Sequence, residues 1–421
     1  MAFGLTLLYV VLTFLSIGDS FPALAEYRIQ LIVGILGVIA TLPALLITRE
    51  VRPGRQAALM AAFTCFVLVS WLPHGWMGGT LVALQQFMPL GIVFFLTAFN
   101  VRSVAHLKIL RLGLLAVTVY LVGRGLFDYF WNPDDSPFVL AQSEYDVTIS
   151  RLQALGLLND PNQFAQFLLA MVPLLFVDVK SRGWFSRIGV ILPIATLILV
   201  AIYFTHSRGA LVGLALLIGL LVMQRLKFVG GSLAAAVAAV FLVVIGFSGG
   251  RAVSVSGGLD RLDIWSDGLG MFKSSPIWGV GFNGFLESSA STAHNSFLLC
   301  AVELGLIGCF LWVGLILVSL WQLRRVASAP ATENSDPELR VWANAVLFSL
   351  AAFLIPGFFL SETYAPMLYL LLGMSAAIAR LEVERTGLEL LPVGNRWPLK
   401  TVMACVASMT LVYVMVRMRG L

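Results

Sequence analysis

Apolar runs close to the ~20 residues that cross a bilayer as one helix recur from end to end of this chain. A backbone in hydrocarbon has no water to bond to, and a helix satisfies its own N–H and C=O groups within one segment. Thirteen stretches qualify, at roughly 3–18, 29–47, 57–73, 80–98, 109–127, 163–179, 188–204, 209–223, 228–247, 296–320, 341–360, 366–380 and 399–416. Only 12% of residues are charged and 59% are hydrophobic, against about a quarter and under half in a soluble domain. The 421 residues therefore read as one helical bundle with surplus apolar surface turned to lipid.

The scarce charges are sorted. Arg49, Arg52 and Arg55 lie at 48–56, and Arg102, Lys108 and Arg111 at 100–111. Lys180, Arg182 and Arg187 follow at 178–187, then Arg225 and Lys227 at 224–227. Arg324, Arg325 and Arg340 lie at 321–340, and Arg380, Arg385, Arg396 and Lys400 at 380–400. Alternate loops are thus basic, and 18 of the 27 Lys and Arg residues fall on one side. The positive-inside rule makes that side cytoplasmic, with the N-terminus. If every stretch spans, Arg417 and Arg419 emerge outside; if one short stretch does not, the C-terminus lies inside. The expectation is an all-α polytopic bundle of twelve or thirteen spans, with a long outer segment at 248–295 before the tenth.

The net charge of +5 is then a topology signal, and no nucleic-acid partner is implied. No Lys or Arg precedes the run at 3–18, so it reads as a retained first span, although Ala23-Leu24-Ala25 has the form of a cleavage site. Cys65, Cys300, Cys309 and Cys405 all sit in apolar stretches without CxxC spacing. They read as small buried hydrophobes, with no disulfide and no metal. No DxD or HExxH motif occurs and the four histidines are scattered, so no metal site is expected.

Residues that break the charge pattern lie on the outer side, near the long segments Asp128–Asn162 and Ser248–Asn295. Arg208, in Thr205-His206-Ser207-Arg208-Gly209, puts a cation at the start of a span, where the helix dipole prefers an anion. It reads either as a snorkelling headgroup contact or as part of an anion site, with a guanidinium and helix N–H groups converging on a phosphate. Arg261 opens a stretch in which Leu262, Trp265, Leu269 and Phe272 share one helical face and Asp260 suits the N-cap. That stretch reads as a short amphipathic helix on the outer interface, anchored by Trp265, with Asp260 or Asp263 in reach of Arg261. Gly279-Val280-Gly281-Phe282-Asn283-Gly284 has GxGxxG spacing but lacks a strand before it and a helix directly after, which excludes a dinucleotide loop.

His294, in Ala293-His294-Asn295-Ser296-Phe297, stands where the outer segment becomes a span. A helix N-terminus lowers an imidazole pKa, and a neutral imidazole suits a general base; a lone histidine is more often structural. Glu303 lies about two turns further in, where a carboxylate is costly and takes a partner. Asp160-Pro161-Asn162 has the form of an N-cap followed by proline at the first helical position. Arg151 is a further outer cation.

Leu158-Asn159-Asp160-Pro161-Asn162-Gln163-Phe164-Ala165, Thr205-His206-Ser207-Arg208-Gly209, Ser275-Pro276-Ile277-Trp278-Gly279-Val280-Gly281, Ala293-His294-Asn295-Ser296-Phe297 and Glu303-Leu304-Gly305-Leu306-Ile307-Gly308 occur in that order. As an ordered set they resemble the O-antigen ligase family of bacterial inner membranes, related to O-antigen polymerases and protein O-oligosaccharyltransferases. The resemblance covers about 150–310. It implies a metal-independent, cofactor-free, inverting glycosyltransferase of the GT-C type. Such an enzyme moves a glycan from undecaprenyl diphosphate to a lipid A–core sugar hydroxyl at the periplasmic face. By the same resemblance Arg208 and Arg261 bind the diphosphate and His294 is the base, with Arg151, Asp160, Asn162, Asn295 and Glu303 in support. The chain then divides into N-terminal helices with the start of the first outer segment at 1–150, a ligase-like core at 151–320 and C-terminal helices at 321–421.

Two enzymes close to this reading differ in acceptor or extent. A polymerase would use a second lipid-linked glycan, and the His294-Asn295 pair leans toward a ligase. A protein oligosaccharyltransferase would add a C-terminal periplasmic domain, whereas this sequence ends in a short apolar tail. A transporter or flippase would place charges deep in mid-span and pair broken helices.

Overall fold

A computed structural model describes residues 1–47, 54–144, 147–177, 183–184, 187–248, 255–289, 291–329, 336–387 and 396–419. Of the basic residues that set the expected topology, Arg49, Arg52, Lys180 and Arg182 lie outside them. The chain begins with α1 (Ala2–Leu15), α2 (Ile29–Leu46), α3 (Arg55–Val69), α4 (Met77–Asn100) and α5 (Val104–Trp131). Strands β1 (Val139–Glu144) and β2 (Val147–Leu152) precede α6 (Pro161–Leu175), α7 (Leu192–Phe204) and α8 (Arg208–Ser248). Then come α9 (Val255–Ser274), α10 (Ser296–Ala327), α11 (Pro337–Gly357), α12 (Pro366–Thr386) and α13 (Trp397–Arg417). Among the described residues eight helices are long and apolar enough to cross a membrane, and Ala2–Leu15, Ile188–Phe204 and Arg208–Met223 are shorter apolar helices. The chain is a polytopic helical membrane protein.

Helix α6 and the first half of α12 are almost wholly buried and form the centre of the bundle, α12 against α4 and α6 against α11. Missing side chains allow the close approach: a Cβ on Gly373 would lie 2.8 Å from the Phe94 carbonyl oxygen. Buried amides act as ties. Gln56 Nε2 donates to Ser319 Oγ and Ser375 Oγ at 2.8 Å each, joining α3, α10 and α12.

Four expectations are corrected. First, the bundle carries a small sheet: β1 pairs antiparallel with β2, Leu140 opposite Arg151. Val147 and Ile149 alternate with Thr148 and Ser150, a period of two that hydropathy windows average away. Second, α9 starts at Val255, so Asp260 lies inside it and is not its N-cap. Third, Trp265 is no lipid anchor. It is 2% exposed and its indole N–H donates to the Ala293 carbonyl at 2.8 Å. The apolar face of α9 meets Phe285, Leu298 and Val412, so it docks on protein. Fourth, Cys65 is exposed, although the other three cysteines are buried.

Helical backbone is found on both sides of the polar loop expected at 224–227, and α8 folds back on itself there. A Cβ on Gly231 would lie 1.9 Å from Met223 Cγ, whereas eight residues of straight helix rise about 12 Å. Helix α13 runs antiparallel to α10: Lys400 and Arg324 share one cleft at its start, and Arg419 just past its end lies 2.7 Å from Asp263 of α9.

Helix α10 is interrupted at Gly305, with φ 61°. The segment 276–281 fills the gap with backbone. Val280 and Gly281 N–H donate to the Val302 and Glu303 carbonyls at 2.9 Å each, and Leu306 N–H donates to the Pro276 carbonyl at 2.8 Å. A Cβ on Gly279 would sit 2.2 Å from the Glu303 oxygen, and one on Gly305 2.2 Å from the Ile277 oxygen. The glycine spacing that mimicked a nucleotide loop is therefore a backbone clamp across a broken helix. The clamp is held from outside by Trp71, whose indole donates to the Phe282 carbonyl at 2.9 Å, and by His74, with Nε2 2.8 Å from the Gly279 oxygen.

Candidate functional site

The suspected residues gather at the end of the bundle where α6, α8 and α10 begin. Asp160 caps α6, accepting from the Asn162 and Gln163 N–H groups at 2.7 and 3.1 Å, with Pro161 at the first helical position. Ser207 caps α8, its hydroxyl accepting from Ala210 N–H at 3.4 Å, and Arg208 is the exposed first residue of that helix. Asn295 caps α10, accepting from the Phe297 and Leu298 N–H groups at 3.0 and 2.9 Å. Its buried Nδ2 has no hydrogen-bond partner among the described residues. Each cap satisfies helix N–H groups and contributes about 0.5–2 kcal/mol.

Arg151 ties two of these starts together. Buried on β2, it donates from Nε to the Thr205 carbonyl at 3.0 Å, from Nη1 to Gln142 Oε1 at 3.1 Å and from Nη2 to Asn162 Oδ1 at 3.1 Å. The hairpin, the start of α6 and the turn before Arg208 are thus held by one guanidinium. Its planar fork suits three divergent acceptors better than a lysine ammonium does.

His294 lies one residue before the Asn295 cap, half-buried, with φ 46° and Nε2 3.4 Å from Ser291 Oγ. Its pKa is held below the ordinary histidine value, first by burial and then by the Arg261 guanidinium, against the raising effect of Asp160. The direction is the one expected, with burial and a neighbouring cation as its causes. Arg261 reaches this position because Trp265, one turn later on α9, is bonded to Ala293. Arg261 and Asp160 are therefore both within electrostatic reach of His294. The turn that leads into Arg208 is tied to the start of α6 through Thr205, Arg151 and Asn162.

A carboxylate that the sequence reading passed over completes the cluster. The loop between α11 and α12 is stitched to the start of α10. Ser296 Oγ donates to the Leu360 carbonyl at 2.6 Å and accepts from Glu362 N–H at 2.8 Å, and Thr363 Oγ1 donates to the Ser296 carbonyl at 2.7 Å. Glu362 is 5% exposed. Burial and then the Asp160 charge push its pKa up to about 8, with a Gln163 hydrogen bond acting the other way. The available signal was a single acidic residue between two apolar stretches, in Leu360-Ser361-Glu362-Thr363-Tyr364. Glu303, by contrast, is a structural partner. It accepts from Tyr364 Oη at 2.7 Å and Phe285 N–H at 3.4 Å beside the break in α10.

Fold and site together define a polytopic helical membrane protein with arginines and a half-buried imidazole grouped at one end. Residues 193–313 match the family described as O-antigen ligase, so the chain resembles that family beyond its ordered motifs. It is also 28% identical over 155 residues to the exopolysaccharide production protein ExoQ of Rhizobium meliloti (strain 1021). That similarity covers 31% of this chain, which thus spans about a third, 33%, of the relative's length.

Proposed function

We propose that this protein is an inverting glycosyltransferase of the GT-C type that moves O-antigen glycan from undecaprenyl diphosphate to a lipid A–core sugar hydroxyl. It works in the bacterial inner membrane, with its site facing the periplasm. The observation that carries the reading is His294 beside Arg261, its pKa lowered, at the start of α10. The match to the O-antigen ligase family supports the class of chemistry.

His294, neutral at pH 7, takes the proton from the acceptor hydroxyl. The hydroxyl oxygen attacks the anomeric carbon from the face opposite the diphosphate. The glycosidic C–O bond breaks, and its electron pair passes to the diphosphate. Arg208 and Arg261 meet charge that grows as that bond breaks, so they favour the transition state over the bound donor. The converging helix starts add oriented N–H groups and positive dipole ends. Arg151, Asp160, Asn162 and Asn295 hold these starts in register, and Glu303 holds the broken helix. A positioned base contributes about 10²–10⁴-fold.

A polymerase reading has its own support in the exopolysaccharide production relative. It keeps the same site and donor and changes only the acceptor to a second lipid-linked glycan. Reconstituting the purified protein with a lipid-linked glycan, lipid A–core and no other acceptor separates the two. Glycan joined to lipid A–core is the expected product. Lengthened lipid-linked glycan alone means a polymerase, and glycan movement across the membrane without a new bond means a flippase.

A further inference from the structure

The opposite end of the bundle carries a second feature. A cleft of about 350 Å³ opens between α10, α11 and α13, walled by Leu317, Leu320, Leu347, Trp321 and Trp397. Arg324 and Lys400 stand at its rim, and both are exposed. Arg325 stacks on Trp321 at 4.9 Å from the ring centroid, which holds that indole in place.

The charge balance around this cleft is uneven. Three described carboxylates at this end are taken by other cations, Glu338 by Lys108 at 2.7 Å, Glu384 by Arg380 at 2.8 Å and Asp336 by Arg385, and a fourth, Glu382, is buried with Arg340 and Arg385 as its nearby cations. Among the described residues, neither Arg324 nor Lys400 has an ion pair. Two cations therefore sit over an apolar slot, flanked by two tryptophans of the kind that settle at headgroup depth. A ligand that fits has a negative head and a hydrocarbon tail.

We propose that this cleft binds one anionic phospholipid of the cytoplasmic leaflet. Its phosphate lies between Arg324 and Lys400, and an acyl chain lies along Leu317, Leu320 and Leu347. Basic pockets between helices on the cytoplasmic side take such headgroups because charge attraction adds to tail burial. The occupied cleft would brace α13 against α10. The far end of α13 meets Asp263, on the same helix as Arg261, through Arg419.

The test is native mass spectrometry of the delipidated full chain with phosphatidylglycerol and phosphatidylcholine of identical acyl chains. The protein is expected to retain one phosphatidylglycerol in preference to phosphatidylcholine. The Arg324→Gln/Lys400→Gln double variant is expected to lose that preference by about tenfold or more. Arg55→Gln, which removes an exposed cation elsewhere at the same end, is expected to keep it. Equal loss in Arg55→Gln, or equal retention of both lipids by the parent, would overturn the site. Inorganic phosphate at millimolar concentration is expected not to displace the lipid. Displacement would assign the cations to phosphate alone and also overturn it. Monodisperse elution of the double variant separates lost binding from lost folding.

Discussion

At the scale of single residues, His294 depends on its surroundings for its charge state. Burial and Arg261 both disfavour the imidazolium, so the folded pKa lies below the ordinary histidine value. A base must be neutral, so transfer should hold as pH falls to about 6.5 and fail only below it. Arg261→Gln removes one cause of the lowering. The His294 pKa should then rise, read directly by imidazole NMR titration, and the acid limb of any residual transfer should move to higher pH. An unmoved titration would show that the guanidinium does not act on the ring. Glu362 behaves in the opposite sense: its folded pKa of about 8 exceeds the ordinary carboxyl value. The folded state binds that proton more tightly, so this contribution is full below about pH 4 and is lost as pH rises through about 8. Glu362→Gln carries an uncharged group of the same shape at every pH. It should lessen the fall in Tm between about pH 6 and pH 9; an undiminished fall would contradict a buried neutral carboxyl.

Among the elements, the broken helix α10 departs furthest from what hydropathy indicates. Its apolar run reads as one span, and the run is indeed helical on both sides of Gly305. What hydropathy cannot convey is that a loop more than twenty residues upstream supplies the missing backbone partners, because that pairing is long-range. Gly279 and Gly305 were visible as glycines, but their need to lack a Cβ appears only when the two backbones face each other. Gly305→Ala combines a left-handed φ with a clash against the Ile277 carbonyl. It should cost about 1–3 kcal/mol from the φ alone, with the clash added. A lowered Tm in detergent checks this, with Gly209→Ala, where a Cβ meets nothing within 4 Å, as the control. Equal Tm values for the two variants would contradict the clamp. The cap at Asp160, by contrast, is anticipated from local spacing, because capping acts within one turn; the Asn295 cap has the same local cause but is not among the expectations read from the sequence. The β-hairpin and the docking of Trp265 could not be anticipated. One alternates within a segment rich in polar residues, and the other depends on the surface that Phe285 and Leu298 present.

For the whole molecule, charge sorting and structure divide the bundle in the same way. Arg419 reaches Asp263 at the end that holds His294, while Arg324 and Lys400 share a cleft at the other. This is the arrangement expected if the last stretch crosses the membrane. The basic residues assigned to the inner side by the positive-inside rule thus include the pair at the end away from His294. Glu362 enters that site only through tertiary packing, from a loop nearly seventy residues after His294. The central claim is that His294 removes the proton from the acceptor. It is tested most directly by the single-turnover rate of glycan transfer from a lipid-linked donor by purified His294→Ala, with insertion and Tm matched to the parent. The expected rate is lower by about 10²–10⁴-fold, with donor binding retained. Transfer at the parental rate would contradict the assignment.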